Sequence, residues 1–162
     1  NDVRALSREG ALSAAAQTGL AVCLMHMQGV PKTMQADPSY TQVVKDVREY
    51  LRSRVGECVS AGIKRENICI DPGFGFGKTL EHNLTLLREL PRLAELGLPV
   101  LVGLSRKSMI GQLLKREIED RLPASLALAL LSLERGASIV RVHDVKASRD
   151  IIDTYIAISA SE

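Results

Sequence analysis

The sequence lacks any strong bias of charge. Its 162 residues carry a formal net charge of +2, and aromatic residues make up only 3% of the chain. No cluster of lysines and arginines stands beside aromatic residues, which is the pattern that nucleic-acid-binding surfaces need. The apolar content of 46% and the charged content of 25% are those of an ordinary globular protein. The composition therefore argues against a nucleic-acid partner and predicts one domain, or part of one, with a real hydrophobic core.

Three further features are scarce or missing. We find no signal peptide and no apolar run long enough to cross a bilayer, so we expect no membrane partner. The cysteines Cys23, Cys58 and Cys69 are odd in number and lack the spacing of a metal site, and we expect them to be reduced core residues of a cytoplasmic protein. The chain opens at Asn1 with neither a methionine nor a leading strand. We therefore expect it to come from the inside of a longer protein.

Apolar runs rich in β-branched residues alternate with helical patterns along the chain. We predict strands at residues 21–25, 68–71, 99–103 and 138–143. We predict helices at residues 11–19, 37–62, 80–96 with an interruption at Pro91, 108–114 and 122–135, and a final helix capped by Ser148. This alternation is typical of a parallel sheet with right-handed crossovers. Sequence pattern alone leaves open whether the sheet is flat or part of an eight-stranded barrel.

The most informative stretch is residues 68–78, which read ICIDPGFGFGK. A buried strand ends on Asp71, at the end of a parallel strand where α/β folds keep their chemistry. The glycine spacing that follows fits neither the Walker A motif nor the dinucleotide fingerprint. A helix-capping or loop-stapling role is the structural alternative for Asp71. Phe74 and Phe76 are the only phenylalanines, and a role in the core alone does not explain why both lie in this loop.

The other predicted strands also end in polar or distinctive residues. Met25 ends the first predicted strand, and His26 begins a loop that runs to residue 32. Lys107 stands at the start of a helix, where the helix dipole disfavours a cation. A ligand would explain a lysine at this place, and a solvated lysine is the alternative. We interpret His26 as structural and His82 as an exposed or capping residue.

Arg141 and His143 lie two residues apart on the fourth predicted strand, so their side chains share a face. An arginine fork with a second donor suits a phosphate or a pyrophosphate. The alternative is a surface salt bridge from Arg141 to Asp144 with His143 as a hydrogen-bonded core residue. Both interpretations stay open at this point.

Five motifs in order together resemble dihydropteroate synthases over almost the whole chain. They are NDVR at residues 1–4, LMHMQG at 24–29, DPGFGFGK at 71–78, GLSRKS at 103–108 and RVHD at 141–144. The resemblance implies an α/β fold of the (β/α)₈ TIM-barrel type, of which residues 1–162 supply about the last four βα units of a single pterin-binding domain. It also implies a transferase of folate biosynthesis. In that reaction the amine of p-aminobenzoate displaces pyrophosphate from 6-hydroxymethyl-7,8-dihydropterin diphosphate, and sulfonamides compete at the aminobenzoate site.

The resemblance also implies roles for particular residues. The carboxylate of Asp71 accepts hydrogen bonds from the amino edge of the pterin, and Arg141 and His143 hold the anion. With Lys107 these three are the predicted catalytic residues. The predicted substrate-binding residues are Asn1, Met25, Asp71, Phe76, Gly103, Ser105, Lys107, Arg141 and His143. Lys107 serves the pterin and lies near the aminobenzoate, with Phe76 and Ser105 lining that side.

The remaining implications concern cofactor, partner and completeness. The family uses Mg²⁺ with the diphosphate, and we expect its ligands mostly in the half of the barrel that precedes this chain, with no metal ligand here. The apolar stretch at residues 122–133 favours a homodimer surface, with burial inside one domain as the alternative. Because four strands make only half a barrel, we expect this chain alone to be incomplete for catalysis. Two alternatives remain: a related pterin-binding barrel that transfers a methyl group from methyltetrahydrofolate, and a non-catalytic half-barrel that only binds. Arg141 and His143 argue against the former, which has no pyrophosphate to hold.

Overall fold

Strands and helices alternate in the computed structural model, which describes residues 1–30 and 33–160. The strands are β1 (Val22–Met25), β2 (Ile68–Asp71), β3 (Leu101–Val102) and β4 (Ile139–Val140). The helices are α1 (Ala11–Thr18), α2 (Val43–Ser60), α3 (Leu80–Arg88), α4 (Pro91–Ala94), α5 (Ser108–Leu114), α6 (Leu122–Glu134) and α7 (Val145–Ser159). The predicted order of elements is confirmed. The last two residues of the predicted loop after β1, Pro31 and Lys32, lie outside the described residues.

All strand pairs are parallel and follow chain order. Four residue pairs join β1 to β2, from Val22–Ile68 to Met25–Asp71, and two join β3 to β4. A parallel bridge between Ile70 and Val100 connects these two pairs of strands, and a second bridge places Asp2 beside Leu24. The carboxyl ends of the four strands therefore lie along one edge, with the N-terminal segment next to β1.

The core lies between one face of the strands and the helices. Leu24, Ile68 and Ile70 from the strands pack with Val47 and Leu51 of α2 in one hydrophobic cluster. Side chains alternate along a strand, so the neighbouring residues point to the opposite face. On that face lie Cys23, Met25, Cys69 and Asp71, which are absent from the cluster. The carboxylate of Asp71 is thus placed away from the helices, on the face where a barrel has its interior.

The long second helix begins later than predicted. It was expected from residue 37, but α2 begins at Val43. The side chain of Gln28 engages both the N–H and the carbonyl oxygen of Ser39, which removes these groups from any helical hydrogen bond. The N–H of Gln42 donates to Asp46, one turn into the helix, at 3.2 Å. Tertiary pairing of residues 28 and 39, invisible to a local pattern, therefore sets the helix start.

The last strand and helix also differ from expectation. The strands predicted at 99–103 and 138–143 each have only two residues, those of β3 and β4, which pair with each other. Helix α7 begins at Val145, so the prediction that Ser148 caps it is wrong. Ser148 is buried in the first turn, where its N–H donates to the carbonyl oxygen of Asp144 at 3.0 Å. Asp144, the residue before the helix, is held in place by Arg106.

The two phenylalanines of the glycine-rich loop have different environments, and Phe74 belongs to the core. Its side chain is 0% exposed and joins the hydrophobic cluster, whereas Phe76 is half-buried. The three cysteines are free thiols, of which Cys69 is only partly buried. Within the described residues, no helix is both long enough and apolar enough to cross a membrane.

Candidate active site

Asp71 is the most completely surrounded charge at the strand ends. Its side chain is only 2% exposed. One carboxylate oxygen, Oδ2, accepts from Asn1 Nδ2 at 3.0 Å and lies 3.4 Å from Arg141 Nη2. The other, Oδ1, accepts from the N–H of Gly73 at 2.8 Å. A buried carboxylate is stable only with such partners. The loop-stapling role considered for Asp71 is therefore real, but it accounts for only one of these three contacts.

The glycine-rich loop approaches β1 so closely that one position admits no side chain. A Cβ at Gly73 would overlap the carbonyl oxygen of His26, and the residue has a φ of 69°. The N–H of His26 in turn donates to the carbonyl oxygen of Asp71 at 2.9 Å, which extends the β1–β2 pairing by one residue. The loop thus folds back over the end of β1.

Arg141 reaches Asp71 across the backbone of Gly103. A Cβ at position 103 would lie 2.8 Å from Arg141 Nη2, so a side chain there would displace the guanidinium from its present place. The Arg141 side chain is 46% exposed, in contrast to the carboxylate it meets. The salt bridge from Arg141 to Asp144, which was the structural alternative to anion binding, is not formed. Asp144 instead pairs with Arg106 through two hydrogen bonds of 2.8 and 2.7 Å.

Lys107 connects the loop after β3 to the loop after β2. Its ammonium donates to the carbonyl oxygen of Phe74 and lies 4.9 Å from the centre of the Phe76 ring. Burial and the positive charge of Arg141 lower the pKa of Lys107 to about 8, while the negative charge of Asp71 opposes that shift. Lys107 is the residue that precedes α5, as predicted. Its side chain serves the loop instead of leaving the helix end for solvent.

His143 lies on the side of Ser105 and does not touch Asp71 in the described contacts. Its Nδ1 atom is 3.0 Å from Ser105 Oγ, and its N–H donates to the same oxygen at 3.2 Å. Ser105 is buried and His143 is exposed. His143 is therefore neither a core histidine nor a direct partner of the carboxylate.

The structure brings most of the predicted site residues together. Asp71 meets Asn1 and Arg141, and Met25 is its register partner on β1, buried and on the same face. A second group is formed by residues that line the other side: Phe76 with Lys107, and Ser105 with His143. The opposing effects of Asp71 and Arg141 on the pKa of Lys107 link the two groups electrostatically.

Two buried residues of the site region, Lys78 and His26, form a contact that we did not predict from the sequence. Lys78 is 3% exposed and its ammonium lies 2.9 Å from Nδ1 of His26, which is 6% exposed. Burial, followed by the charge of Lys107, lowers the pKa of Lys78 to about 7 against the attraction of Asp71. Burial and the charge of Lys78 lower the pKa of His26 to about 3. The sequence signal for Lys78 is its place directly after a glycine-rich turn. We compared that turn only with phosphate-binding and dinucleotide-binding motifs.

The structure offers no metal centre in the part of the chain that it describes. No three histidine, cysteine, aspartate or glutamate side chains among residues 1–30 and 33–160 come together as a possible ligand set. A cavity of about 710 Å³ lies elsewhere, between α2 and the α3–α4 segment. Its charged side chains pair with one another, as in the contacts of Arg48 with Glu95 and of Arg92 with Glu89. We therefore assign the chemistry to the strand ends and not to this cavity.

Comparison with known proteins gives a consistent result. The sequence pattern of the family described as pterin binding enzyme matches residues 1–143. Among curated proteins, the dihydropteroate synthase of Haemophilus influenzae is 51% identical over 157 residues, which are 97% of this chain and 57% of the relative. The chain thus spans little more than half the length of that protein.

Solved structures give the same family and the same fold. The Yersinia pestis dihydropteroate synthase in a sulfonamide drug complex superposes with a TM-score of 0.96 at 47% identity, over 99% of this chain and 58% of that one. The Xanthomonas albilineans dihydropteroate synthase in complex with 7,8-dihydropteroate gives a TM-score of 0.92 at 47% identity, over 100% of this chain and 59% of that one. The predicted fold, part of a barrel of the (β/α)₈ type, is confirmed by these matches.

Proposed function

Because this chain belongs to the family of pterin-binding enzymes, we propose that it carries the pterin side of a dihydropteroate synthase site. The enzyme would join p-aminobenzoate to 6-hydroxymethyl-7,8-dihydropterin diphosphate. The amine nitrogen forms a bond to the exocyclic methylene carbon and loses a proton, while the carbon–oxygen bond breaks and the pyrophosphate leaves with the electron pair. The observation that carries this proposal is the buried carboxylate of Asp71, which lies between an amide and a guanidinium at the end of β2.

Asp71 is the proposed receptor for the pterin edge. Its carboxylate accepts from Asn1 and from the N–H of Gly73, with Arg141 at the longer distance of 3.4 Å. A carboxylate has about four acceptor positions. With Asn1 and the N–H of Gly73 in place, about two acceptor positions remain. They suit a pterin that donates its 2-amino group and an adjacent ring N–H, in which case Arg141 gives up its contact with the carboxylate. Met25, buried beside Asp71, is placed to contact the flat ring.

The cations serve the leaving group. Arg141 is half exposed and so is available to a diphosphate outside the buried carboxylate, and His143 extends the same loop toward solvent. Fixed donors near a developing negative charge lower the barrier for its departure. We assign no protein nucleophile, because the amine of the second substrate attacks directly.

Lys107, Phe76 and Ser105 form the proposed aminobenzoate side. The ammonium of Lys107, with a pKa of about 8, is largely protonated at neutral pH and can attract the carboxylate of p-aminobenzoate. The partly buried ring of Phe76, beside that ammonium, offers an apolar surface to the aromatic substrate. The complex of the Yersinia pestis relative with a sulfonamide drug supports the proposal that such compounds compete at this side.

Magnesium, assembly and location are further parts of the proposal. We propose no resident Mg²⁺ site on this chain, since the described residues form no group of side chains that could hold a metal ion. Any Mg²⁺ would accompany the diphosphate. We propose a homodimer that uses the apolar helix α6, and a cytoplasmic location, which the free thiols support.

The test is an assay of the intact protein that contains this chain. With both substrates present, dihydropteroate and pyrophosphate should appear in equal amounts, and omission of p-aminobenzoate should abolish both. If the protein instead removed the methyl group from methyltetrahydrofolate, the methyl-transfer alternative would be favoured. Sedimentation of the same preparation measures the proposed dimer.

A further inference from the structure

The glycine-rich loop after β2 has little regular secondary structure to hold it, yet its carbonyl oxygens are engaged in hydrogen bonds. Five successive carbonyl oxygens, from residue 73 to residue 77, each accept a hydrogen bond from a side chain. The donors are Lys78, Lys107, Gln35 and Tyr40. Buried carbonyl groups need such partners, since an unsatisfied one is costly. The position of this loop is therefore set by side chains and not by a strand or a helix.

Lys78 occupies the centre of this arrangement. Its amino group donates to the carbonyl oxygens of Gly73 and Phe76, both at 3.0 Å, and lies 2.9 Å from Nδ1 of His26. A lysine side chain has at most three N–H donors, so these three partners occupy its hydrogen-bonding positions. Lys78 is 3% exposed and has no donor left for a substrate. Its role is therefore not that of a ligand-binding lysine.

One of the contacts of Lys78 is with a residue on the proposed aminobenzoate side. The carbonyl of Phe76 belongs to the residue whose ring lies 4.9 Å from the ammonium of Lys107. Lys107 itself donates to the carbonyl of Phe74, inside the same loop. A displacement of the loop would therefore move both the ring of Phe76 and the carbonyl group of Phe74 that holds the Lys107 ammonium. Asp71 would be affected less, since it is fixed by the β1–β2 ladder and by Asn1.

We propose that Lys78 is a positioning residue that fixes the β2–α3 loop against His26 and thereby sets the geometry of Phe76 and Lys107 for the aminobenzoate substrate. The assignment of that substrate rests on the proposed function, whereas the fixing of the loop does not. A misplacement of about 1 Å in a substrate-positioning group is enough to cost on the order of 100-fold in rate.

The test compares Lys78→Met with Lys64→Met in the intact protein. Lys64 is an exposed lysine outside the site and serves as the control. In Lys78→Met, the KM for p-aminobenzoate should rise at least about tenfold, with little change in the KM for the pterin diphosphate. Lys64→Met should change neither. A proportional loss of kcat with both KM values unchanged would mean only that less protein is folded, and would overturn the proposal.

A second measurement needs no substrate. The N–H of Gly75 donates to Asn83 Oδ1 at 2.8 Å, and the N–H of Phe76 donates to the carbonyl oxygen of Gly73 at 3.0 Å. In Lys78→Met, hydrogen exchange of these two amides should become faster while the amides of α2 exchange as before. Unchanged exchange in the loop would refute the fixing role, whatever the enzyme activity. If wild-type protein formed no dihydropteroate, the proposed function would fail and the exchange result would still decide the role of Lys78.

His26→Leu covers the case in which Lys78→Met does not fold. It removes the imidazole but leaves Lys78 its two carbonyl partners. We expect the same selective rise in the KM for p-aminobenzoate, smaller in size, together with faster exchange at Phe76. An equal rise in both KM values would count against the proposal.

Discussion

The loop that follows β2 and the loop that follows β4 both place charged side chains at the site, but these side chains differ in their exposure to solvent. Most of the β2–α3 loop, residues 72–79, is buried, and we call it the sealed loop. Phe74 is 0% exposed, Lys78 is 3% exposed, and the neighbouring side chain of Asp71 is 2% exposed. The β4–α7 loop, residues 141–144, presents its cations to solvent, and we call it the open loop. Arg141 is 46% exposed and His143 is exposed as well.

The difference corresponds to what each loop is proposed to bind. A flat heterocycle with a fixed edge of N–H donors is best recognised by a carboxylate that does not move, and burial with complete hydrogen bonding provides this. A diphosphate that arrives from solvent and leaves again is better met by cations that remain hydrated. Rigidity is therefore concentrated on the side of the site where orientation matters most.

The largest expected effect is the loss of Phe74 from the sealed loop. Phe74→Ala should lower the free energy of unfolding by about 3–5 kcal/mol, because it empties a fully buried site in the core. Phe76→Ala is the matched control, since its half-buried ring should cost clearly less stability while it impairs aminobenzoate binding. Denaturant unfolding monitored by circular dichroism measures both. Equal losses of stability in the two variants would contradict the assignment of one ring to the core and the other to the site.

The second effect concerns the carboxylate at the base of the same loop. Asp71→Asn should weaken pterin binding by about 1–3 kcal/mol, the value of a hydrogen bond to a charged group. Asp153→Asn, at an exposed position on α7, is the control and should bind as the wild type does. Isothermal titration calorimetry with a pterin gives the comparison. Unchanged affinity in Asp71→Asn would remove this residue from the pterin site.

The third effect is a dependence of stability on pH that comes from His26, the residue after β1 that contacts Lys78 of the sealed loop. The pKa of His26 falls from its ordinary value of 6.5 to about 3 in the folded protein, chiefly because the imidazole is buried. Between these values the unfolded chain binds more protons, so the stability that His26 contributes is complete above pH 6.5 and decreases as the pH falls. At pH 5.5 the loss should be about 1.4 kcal/mol.

His26→Gln provides the control for this pH effect, because it keeps an acceptor near Lys78 but does not titrate. The difference in unfolding free energy between wild type and variant should shrink or reverse in favour of the variant from pH 7 to pH 5.5. A constant difference over this range would show that His26 has no depressed pKa.

The smallest effect belongs to the open loop. Arg141→Ala should weaken binding of the pterin diphosphate by about 1 kcal/mol more than binding of the bare pterin, since a half-exposed ion pair is partly screened by water. Arg149→Ala, on the exposed side of α7, is the control. Competition binding at constant ionic strength measures both ligands. Equal losses for the two ligands would identify Arg141 as a structural partner of Asp71.

Local sequence patterns predicted the order of elements and the residues at the strand ends, because both follow from short-range rules. The apolar run before Asp71 and the start of α3 at Leu80 are examples in which neighbouring residues decide the outcome. The start of α2 was missed because it depends on Gln28 and Ser39, which lie 11 residues apart.

Side-chain partners were harder to predict than positions. A salt bridge of Arg141 with the nearby Asp144 was one possibility, but Arg141 meets Asp71 across β3, and Asp144 pairs with Arg106. Such pairings depend on how the parallel strands are placed side by side, which no single strand encodes. The burial of Lys78 against His26 was missed for the same reason, since the two residues are 52 positions apart.

The most direct test of the whole account is a crystal structure of the intact protein with a pterin and pyrophosphate bound. The account predicts the amino edge of the pterin on the carboxylate of Asp71, the pyrophosphate beside Arg141 and His143, and a β2–α3 loop in the position described above. A pterin bound away from Asp71, or a pyrophosphate on the opposite side of the strand ends from Arg141, would contradict it.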